Sequence, residues 1–260
     1  MRILVLTQED NLYLPTSFAS VCRELRDNIV CIVSSPAMST HGGPVRGVVR
    51  HIGLFGLSGT AILTTRILRA KLRGLRSRHN GEGPFHSIAR VARAFRIPFH
   101  RAAKVNSAAL HRILDQFQPE LLISLSCPQI IGKKIRDRFP KGCINVHGSP
   151  LPKYRGLMPA FWVLRYGEIK TAVTVHDLGA TLDDGDILIQ REVEITPEET
   201  WDSLVRKTKR VGTEALVEAV HAIEKGTVIR KPNMEEQATY FSFPTAADRK
   251  AFLSRGRRFF

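Results

Sequence analysis

Two polar side chains stand two residues apart in the stretch 143–156, which reads C-I-N-V-H-G-S-P-L-P-K-Y-R-G. The stretch begins with an apolar run, as a buried strand does, and on an extended backbone Asn145 and His147 point to the same face. Gly148 and the prolines that follow end the strand and predict a rigid loop. A donating amide and a ring that titrates near neutrality therefore meet at the end of a strand, where open α/β sheets bind ligands.

A carboxylate that could join this pair lies in the acidic turn G-A-T-L-D-D-G-D, residues 179–186. A neutral amide hydrogen-bonds a developing oxyanion, a histidine transfers a proton, and a nearby carboxylate stabilises the imidazolium. Together the three groups favour direct transfer of an acyl-type group through a tetrahedral intermediate. No activated nucleophile accompanies them, because Ser149 lacks the G-x-S-x-G elbow and Cys127 and Cys143 lack an adjacent base.

Each of these features also has a plainer interpretation. An isolated N-x-H pair is more often structural than catalytic. His176 lies in a predicted strand, where a buried histidine with satisfied hydrogen bonds is an ordinary core residue. The acidic turn is compatible with a solvated loop or a cation site, although its spacing does not match an EF-hand. The residues alone therefore leave the active site a hypothesis.

The balance of charge is strongly basic. The 260 residues carry 39 Lys and Arg against 24 Asp and Glu, a net charge of +15 and a pI near 10.2. Such a charge favours contact with nucleic acid, an anionic membrane or phosphorylated substrates, although a host with generally basic proteins would give the same balance. An apolar content of 43% is typical of a globular chain, and 260 residues suffice for one large domain.

The cysteines and the apolar runs give information on the cellular compartment of the protein. The four cysteines form no C-x-x-C pair, which favours a reducing cytoplasm with no disulfide and no zinc site. The opening M-R-I-L-V-L-T is too short for the apolar core of a signal peptide and is interpreted as a first strand. No apolar run is expected to approach the length of a transmembrane helix. The expected location is therefore cytoplasmic.

Apolar runs alternate with amphipathic segments, which predicts an α/β fold with a mostly parallel sheet. The chain begins with a strand at 2–7, a helix at 17–26 and a strand at 29–34, but the first turn lacks the G-x-G-x-x-G dinucleotide fingerprint. Later elements are predicted in the same way: strands at 121–125, 142–146 and 171–177, short strands at 187–190 and 192–195, and helices at 133–139, 159–166 and 201–224.

Residues 35–84 are rich in positive charge toward their end. The stretch 61–104 contains eleven Lys and Arg against one acid, Glu82. A basic amphipathic helix can lie on an anionic membrane, so residues 62–78 are a candidate for such a contact. Packing on the protein's own core, with snorkelling arginines, is slightly favoured, and an oligomer contact is a third alternative. The apolar residues predicted to share one helical face are Ile62, Ile67, Leu68, Leu72 and Leu75.

Two sequence blocks taken together indicate a function more specifically than any single residue does. Through them the chain resembles a known family. N-V-H-G-S-P-L-P-K-Y-R-G is similar to the N-x-H-x-S-x-L-P-x-[WY]-R-G signature of folate-dependent formyltransferases, and L-D-D-G-D, residues 182–186, is similar to their L-D-x-G-D block. That superfamily includes methionyl-tRNA, glycinamide ribonucleotide and sugar-nucleotide formyltransferases. The resemblance implies a Rossmann-like formyltransferase fold, with a mostly parallel twisted sheet flanked by helices and a short C-terminal extension. Residues 1–226 would form the catalytic domain, with 35–84 as an atypical basic insertion and 227–260 as a short basic tail.

The resemblance also implies the site. Asn145, His147 and Asp183 occupy the family's catalytic positions, whereas the role of Asp184 is left open. The donor would be N10-formyltetrahydrofolate, used without a metal. Its pterin would lie between two loops, which contain Cys127, Pro128, Gln129, Ile130 and Ile131, and Leu178, Gly179 and Ala180. The candidate substrate-binding residues are Ser149, Arg155 and His176.

In the implied mechanism an amine attacks the formyl carbon, Asn145 and protonated His147 stabilise the oxyanion, and Asp183 raises the basicity of His147. The acceptor is expected to be a small amine. An anionic amino-sugar nucleotide is favoured over tRNA, because methionyl-tRNA formyltransferases carry a further C-terminal domain and only 60 residues follow Thr200 here. The basic charge would nevertheless suit a tRNA backbone. A formyltetrahydrofolate hydrolase and a non-catalytic folate-binding protein remain alternatives, and no oligomeric state is indicated.

Overall fold

The computed structural model describes residues 1–36, 44–76 and 84–260, so the predicted insertion at 35–84 and the predicted membrane contact at 62–78 lie partly outside the described residues. The strands are β1 (Ile3–Gln8), β2 (Ile29–Ser35), β3 (Phe99–Arg101), β4 (Leu121–Leu125), β5 (Cys143–His147), β6 (Arg155–Gly156), β7 (Lys170–Asp177), β8 (Ile187–Glu194) and β9 (Tyr240–Phe241). The helices are α1 (Leu14–Glu24), α2 (Pro44–Arg76), α3 (Ile88–Ala94), α4 (Ala108–Phe117), α5 (Lys133–Arg136), α6 (Pro159–Tyr166), α7 (Trp201–Lys225) and α8 (Ala246–Ser254).

Seven of these strands form one sheet in the order β3-β2-β1-β4-β5-β7-β8. The strands from β3 to β5 pair in parallel, and β7 and β8 add to one edge in antiparallel pairs. All five residues of β4 are apolar or small and buried, as expected for a strand that is covered on both faces. The predicted mostly parallel α/β sheet is confirmed, and its chain order reverses between β1 and β4, where such sheets form a ligand crevice.

Local sequence signals set several element ends. Ser107 caps α4 by accepting a hydrogen bond from the amide of Leu110, and Gly167, with a φ of 80°, ends α6. The prediction of two short strands at 187–190 and 192–195 is wrong, because β8 is one strand that pairs with β7 along its whole length. β8 lies at the sheet edge, so polar residues in its middle face water without interrupting the ladder.

Helix α2 is long and bends at Gly56, whose φ of 71° and ψ of 178° are not helical. A Cβ at this position would lie 2.7 Å from Arg249 Nη2, so glycine suits both the backbone and the space. The part Gly47–Gly74 is long and apolar enough to cross a membrane by length and composition, since an 18-residue window within it has a mean hydropathy of 1.2. The expectation that no such run exists is therefore wrong. Glycines and threonines between its apolar residues hide the run from a count of consecutive apolar positions.

The prediction that α2 has a single apolar face is also wrong. Of the five residues predicted to form that face, Ile67 is half-buried and the side chain of Leu75 lies outside the described residues. The other three are exposed: Ile62, Leu68 and Leu72. Leu63 and Ala70 face the protein instead. The sequence of α2 supports two opposite apolar faces, and the helical period alone does not say which one packs inward.

The segment after α7 folds back onto the sheet and its helices. β9 pairs in parallel with β6, with Arg155 opposite Tyr240 and Gly156 opposite Phe241. Gly156 has a φ of 101°, and a Cβ there would lie 2.2 Å from the carbonyl oxygen of Phe241. Only glycine permits this approach, so the last residue of the sequence block K-Y-R-G fixes where the C-terminal segment attaches.

An aromatic cluster joins α8 to the rest of the molecule. Phe252 is fully buried and stacks on Phe161 of α6 with ring centroids 5.1 Å apart. Phe259 lies 4.6 Å from Phe252 and 5.0 Å from Phe55 of α2. Residues on both sides of position 226 therefore belong to one hydrophobic cluster.

Phe252→Ala tests whether this C-terminal packing carries stability. Removing a fully buried phenyl ring is expected to lower the free energy of unfolding by about 3–5 kcal/mol, since the site loses contacts and gains a cavity. Urea denaturation followed by fluorescence measures the change. The matched control is the neighbouring Leu253→Ala, which is 39% exposed and should cost far less. Equal, small losses for both variants would mean that the segment is attached without a packed core.

Candidate active site

Asn145 and His147 both reach one carboxylate at the end of β5. Asn145 Nδ2 lies 3.5 Å from Asp183 Oδ1, and His147 Nδ1 lies 3.5 Å from Asp183 Oδ2. The two side chains meet it together because residues two apart on an extended strand share a face. The three residues singled out for catalysis thus form one cluster, in which His147 (7% exposed) and Asp183 (8% exposed) are buried and Asn145 is half-buried.

The backbone around Asp183 is held in an unusual conformation. Asp183 has a φ of 54°, in the left-handed region that few residues other than glycine adopt. The amide of Gly156 donates to its Oδ2 at 2.9 Å. Asn233, from the segment after α7, donates from Nδ2 to the carbonyl oxygens of Asp183 at 2.8 Å and Gly185 at 3.0 Å. These bonds aim the carboxylate at β5 from two distant parts of the chain.

His176 belongs to this cluster and not to a substrate surface, because it is fully buried. It lies opposite Asn145 in the antiparallel pairing of β5 and β7. The carbonyl of Asp177 accepts a hydrogen bond from its Nδ1 at 2.7 Å, which leaves Nε2 to accept one from Asn145 Nδ2 at 3.1 Å. The prediction that His176 binds substrate is corrected: it fixes the orientation of the Asn145 amide.

Ser149 likewise supports the site from within the protein. It is fully buried, and its Oγ lies 3.0 Å from the carbonyl oxygen of Lys153 and 3.2 Å from that of Tyr154. The carbonyl of Tyr154 also accepts a hydrogen bond from His147 Nε2 at 2.8 Å. Ser149 is therefore not available to bind substrate, in contrast to the prediction. It holds the loop that contains Tyr154, and the Tyr154 carbonyl in turn holds His147.

Arg155 was predicted to bind substrate, and its position corrects that role. Its side chain is fully buried and donates to Glu235 and Tyr240 through Nη1 and to Asn233 Oδ1 through Nη2 at 3.0 Å. Because these partners all follow α7, the arginine ties the C-terminal segment to the loop after β5. The same Asn233 holds Asp183, so Arg155 supports the carboxylate through one intermediate residue.

The charges of the cluster follow from burial and from its neighbours. Burial alone would raise the pKa of Asp183, but His147, His176 and the amide of Gly156 together lower it to about 2, so the carboxylate is ionised at neutral pH. Burial lowers the pKa of His147 below its ordinary 6.5, and this outweighs the opposite effects of the Asp183 charge and of the Tyr154 carbonyl. A pKa below 6.5 favours the neutral ring at pH 7. The protonated His147 of the implied mechanism, which stabilises the oxyanion during the reaction, stays a prediction.

Residues missed by the sequence reasoning also shape the site. Asn233 lies in a polar segment with no pattern that marks it. Lys209, on α7, donates a hydrogen bond to Ser126 at the end of β4, and its charge further lowers the pKa of His147. Its position in the helix resembles that of any surface lysine, so only the packing of α7 against the sheet reveals it.

The two loops predicted to hold a pterin lie beside one hydrophobic cluster. Cys127 and Leu178, one from each loop, pack against it, and Ile131 belongs to it. Ile130 is 70% exposed, and Leu182, next to the second loop, is 44% exposed, so each side offers an apolar surface for a flat ring. Pro128 is half-buried and Ala180 is exposed.

Side-chain hydrogen bonds fix the shape of these loops. Gln129 accepts from the amide of Val105 at 3.1 Å and donates to the carbonyl of Ala103 at 2.9 Å, so its amide is occupied within the protein. Asp184 accepts from the amide and hydroxyl of Thr181, and a Cβ at Gly179 would lie 2.0 Å from its Oδ1. Asp184 thus acts as a brace for the second loop. Among the described residues, no group of three His, Cys, Asp or Glu is arranged to hold a metal.

The geometry defines an α/β protein with a buried Asn-His-Asp cluster at the carboxyl end of a central strand. Residues 61–220, which contain this cluster, match the family model described as formyl transferase. The chain belongs to the formyl transferase family.

Proteins similar to this chain in sequence or in fold include other formyltransferases. A methionyl-tRNA formyltransferase from Syntrophus aciditrophicus is 36% identical over 150 residues, which cover 58% of this chain and 48% of that protein. Glycinamide ribonucleotide transformylase 1 from Symbiobacterium toebii has a similar fold, with a TM-score of 0.62 at 17% identity over 90% of this chain and 93% of that one. An N-formyltransferase from Helicobacter canadensis, solved with folinic acid and dTDP-3-aminofucose, gives a TM-score of 0.59 at 16% identity over 93% and 71%. The chain spans about half the length of the curated relatives it matches.

The protonation of His147 can be tested directly by NMR titration of its ring. Its midpoint is expected below 6.5, because desolvation of the buried imidazolium outweighs the attraction of Asp183. Asp183→Asn removes a charge that raises this pKa, so the midpoint should move to still lower pH. His147→Gln assigns the signal. A midpoint above 6.5 in the parent, or an upward shift in Asp183→Asn, would contradict the proposed electrostatics.

Proposed function

We propose that the chain transfers a formyl group from N10-formyltetrahydrofolate to the amine of a small acceptor. The observation that carries the proposal is the convergence of Asn145, His147 and ionised Asp183 in one buried cluster at the end of β5. An amide donor, a neutral base and an anion that stabilises the protonated base are the groups needed to move an acyl group from nitrogen to nitrogen.

Asn145 is suited to stabilise the developing oxyanion. One of its N–H bonds is held by His176 Nε2 at 3.1 Å, while the contact to Asp183 Oδ1 is longer, at 3.5 Å. Because the longer contact is weak, the second N–H can exchange it for a hydrogen bond to a formyl oxygen placed in its direction, with no rotation of the amide. His176 prevents rotation of the amide, so the donating nitrogen faces the reaction.

His147 is suited to carry the proton. Its Nε2–H is held by the carbonyl of Tyr154, so Nδ1 carries the free lone pair of the neutral ring. As the amine forms its bond to the formyl carbon, Nδ1 takes the amine proton, directly or through water, and Asp183 stabilises the imidazolium. The bond from the formyl carbon to N10 then breaks, and the proton passes to N10. The proton taken from one nitrogen is returned to the other, so the cluster ends as it began.

Asp183→Asn and His147→Ala should each lower the rate of formyl transfer by about a hundredfold or more, because groups that act together fail together. The measurement is single-turnover release of tetrahydrofolate. Asp186→Asn is the matched control, since Asp186 lies in the same acidic turn but is exposed. If Asp183→Asn stayed within a few-fold of the parent while binding the donor normally, the proposed proton path would be wrong.

The acceptor that we favour is an anionic amino-sugar nucleotide. Solved structures of similar fold include an enzyme crystallised with dTDP-3-aminofucose and a sugar 3N-formyl transferase crystallised with dTDP. A net charge of +15 suits an acceptor that carries phosphates. Methionyl-tRNA is the second candidate, because relatives that are 36% identical in sequence are methionyl-tRNA formyltransferases.

A panel of acceptors separates these candidates. Release of tetrahydrofolate is followed with amino-sugar nucleotides, glycinamide ribonucleotide, methionyl-tRNA and no acceptor. We expect turnover with an amino-sugar nucleotide that is abolished in His147→Ala. Turnover with methionyl-tRNA alone would replace the favoured acceptor, and release without acceptor would indicate a hydrolase. Donor binding with no turnover on any member would support the binding-protein alternative.

A further inference from the structure

Helix α2 carries two apolar stripes on opposite sides. The inner stripe consists of Gly59, Leu63, Ala70 and Gly74, which are buried. The outward stripe consists of Leu57, Ala61, Leu68 and Leu72, which are exposed. Both have the same spacing, and they are offset by two residues, which is about 200° around a helix. The outward stripe therefore lies opposite the face that packs on the protein.

The inner stripe fastens the helix to the rest of the chain. A Cβ at Gly59 would lie 3.4 Å from the ring of Phe260, so the small residues let the helix approach closely. Arg66 pairs with Asp202 of α7 at 2.9 Å and lies over Phe260 at 5.0 Å. These contacts hold α2 along the body of the protein. The long axis of α2 therefore lies along the surface of the protein. To cross a bilayer, the helix would have to lose these contacts.

The leucines of the outward stripe are highly exposed to solvent although they are apolar. Leu57 is 75% exposed, and Leu68 and Leu72 are each 56% exposed. Before the bend, Val48 and Val49 are also exposed, at 54% and 65%. Three exposed leucines on one side of a helix, with Ala61, Thr64 and Thr65 between them, indicate a partner surface, because scattered exposed residues would not follow the helical period.

The charges beside the stripe identify the kind of partner. Lys71 lies on one flank, Arg69 and Arg73 lie on the other, and all three are exposed. Among the described residues, no carboxylate pairs with any of the three. The sequence of α2 contains no Asp or Glu at all. A second copy docked through this face would bring like charges together, whereas anionic lipid headgroups would neutralise them.

We propose that α2 docks the protein on the surface of an anionic bilayer. The outward stripe enters the boundary between headgroups and acyl chains, and Lys71, Arg69 and Arg73 contact the lipid phosphates. Nucleic acid would use the cations but would leave the leucines in water, so the leucines favour lipid. The inference is independent of the acceptor and of the formyl-transfer proposal.

Co-sedimentation of the full chain with vesicles tests the proposal. Vesicles of phosphatidylcholine with phosphatidylglycerol should bind the protein, phosphatidylcholine alone should bind it weakly, and added salt should release it. Leu68→Gln with Leu72→Gln should weaken binding by about tenfold or more, since the apolar stripe no longer inserts. Arg69→Gln and Lys71→Gln should each weaken binding by about fivefold.

Matched controls and contrary outcomes make the test decisive. Ile169→Gln and Ile229→Gln alter apolar residues that are 78% and 73% exposed elsewhere, and they should leave binding unchanged. Circular dichroism checks that the leucine variants are folded. Absence of binding to anionic vesicles, or equal binding by the leucine variants, overturns the proposal. A dimer in sedimentation velocity that the leucine variants abolish, without lipid binding, would assign the face to a second copy of the chain.

Discussion

A buried and ionised carboxylate must find a partner for each oxygen, and Asp183 imposes this condition on the whole fold. Oδ1 faces Asn145 and Oδ2 faces both His147 and the amide of Gly156. Two partners come from β5 and the third from β6. The left-handed backbone of Asp183 turns the carboxylate toward all three. Burial would raise its pKa, but the interactions with His147, His176 and the Gly156 amide outweigh this effect and lower it to about 2.

The segment after α7 is part of this arrangement. Asn233 holds the backbone of Asp183, and Arg155 holds Asn233 in turn. The R-G pair that ends the sequence block near β5 thus has a structural task, since the arginine binds the C-terminal segment and the glycine lets it approach. The chemistry at β5 and the packing of the C-terminal segment are coupled through these few residues.

Local sequence patterns predicted the features that depend on residues close together in the chain. The five-residue strand Leu121–Leu125 and the helix Pro159–Tyr166 follow from apolar runs with clear stop signals. The meeting of Asn145 and His147 follows from the period of a strand. The roles of His176 and Arg155 could not be predicted, because they depend on strand pairing and on a segment about eighty residues further along the chain. The inner face of α2 was equally hidden, since its sequence offers two apolar faces.

The most direct test of this account is a crystal structure of the chain with 5-formyltetrahydrofolate. We expect the pteridine between the loops 127–131 and 178–182, with the formyl oxygen about 3 Å from Asn145 Nδ2 and close to His147. The side chains of Arg155 and Ser149 should keep their contacts within the protein. A folate bound elsewhere, or one whose formyl group points away from Asn145, His147 and Asp183, would contradict the assignment of this cluster as the site of transfer.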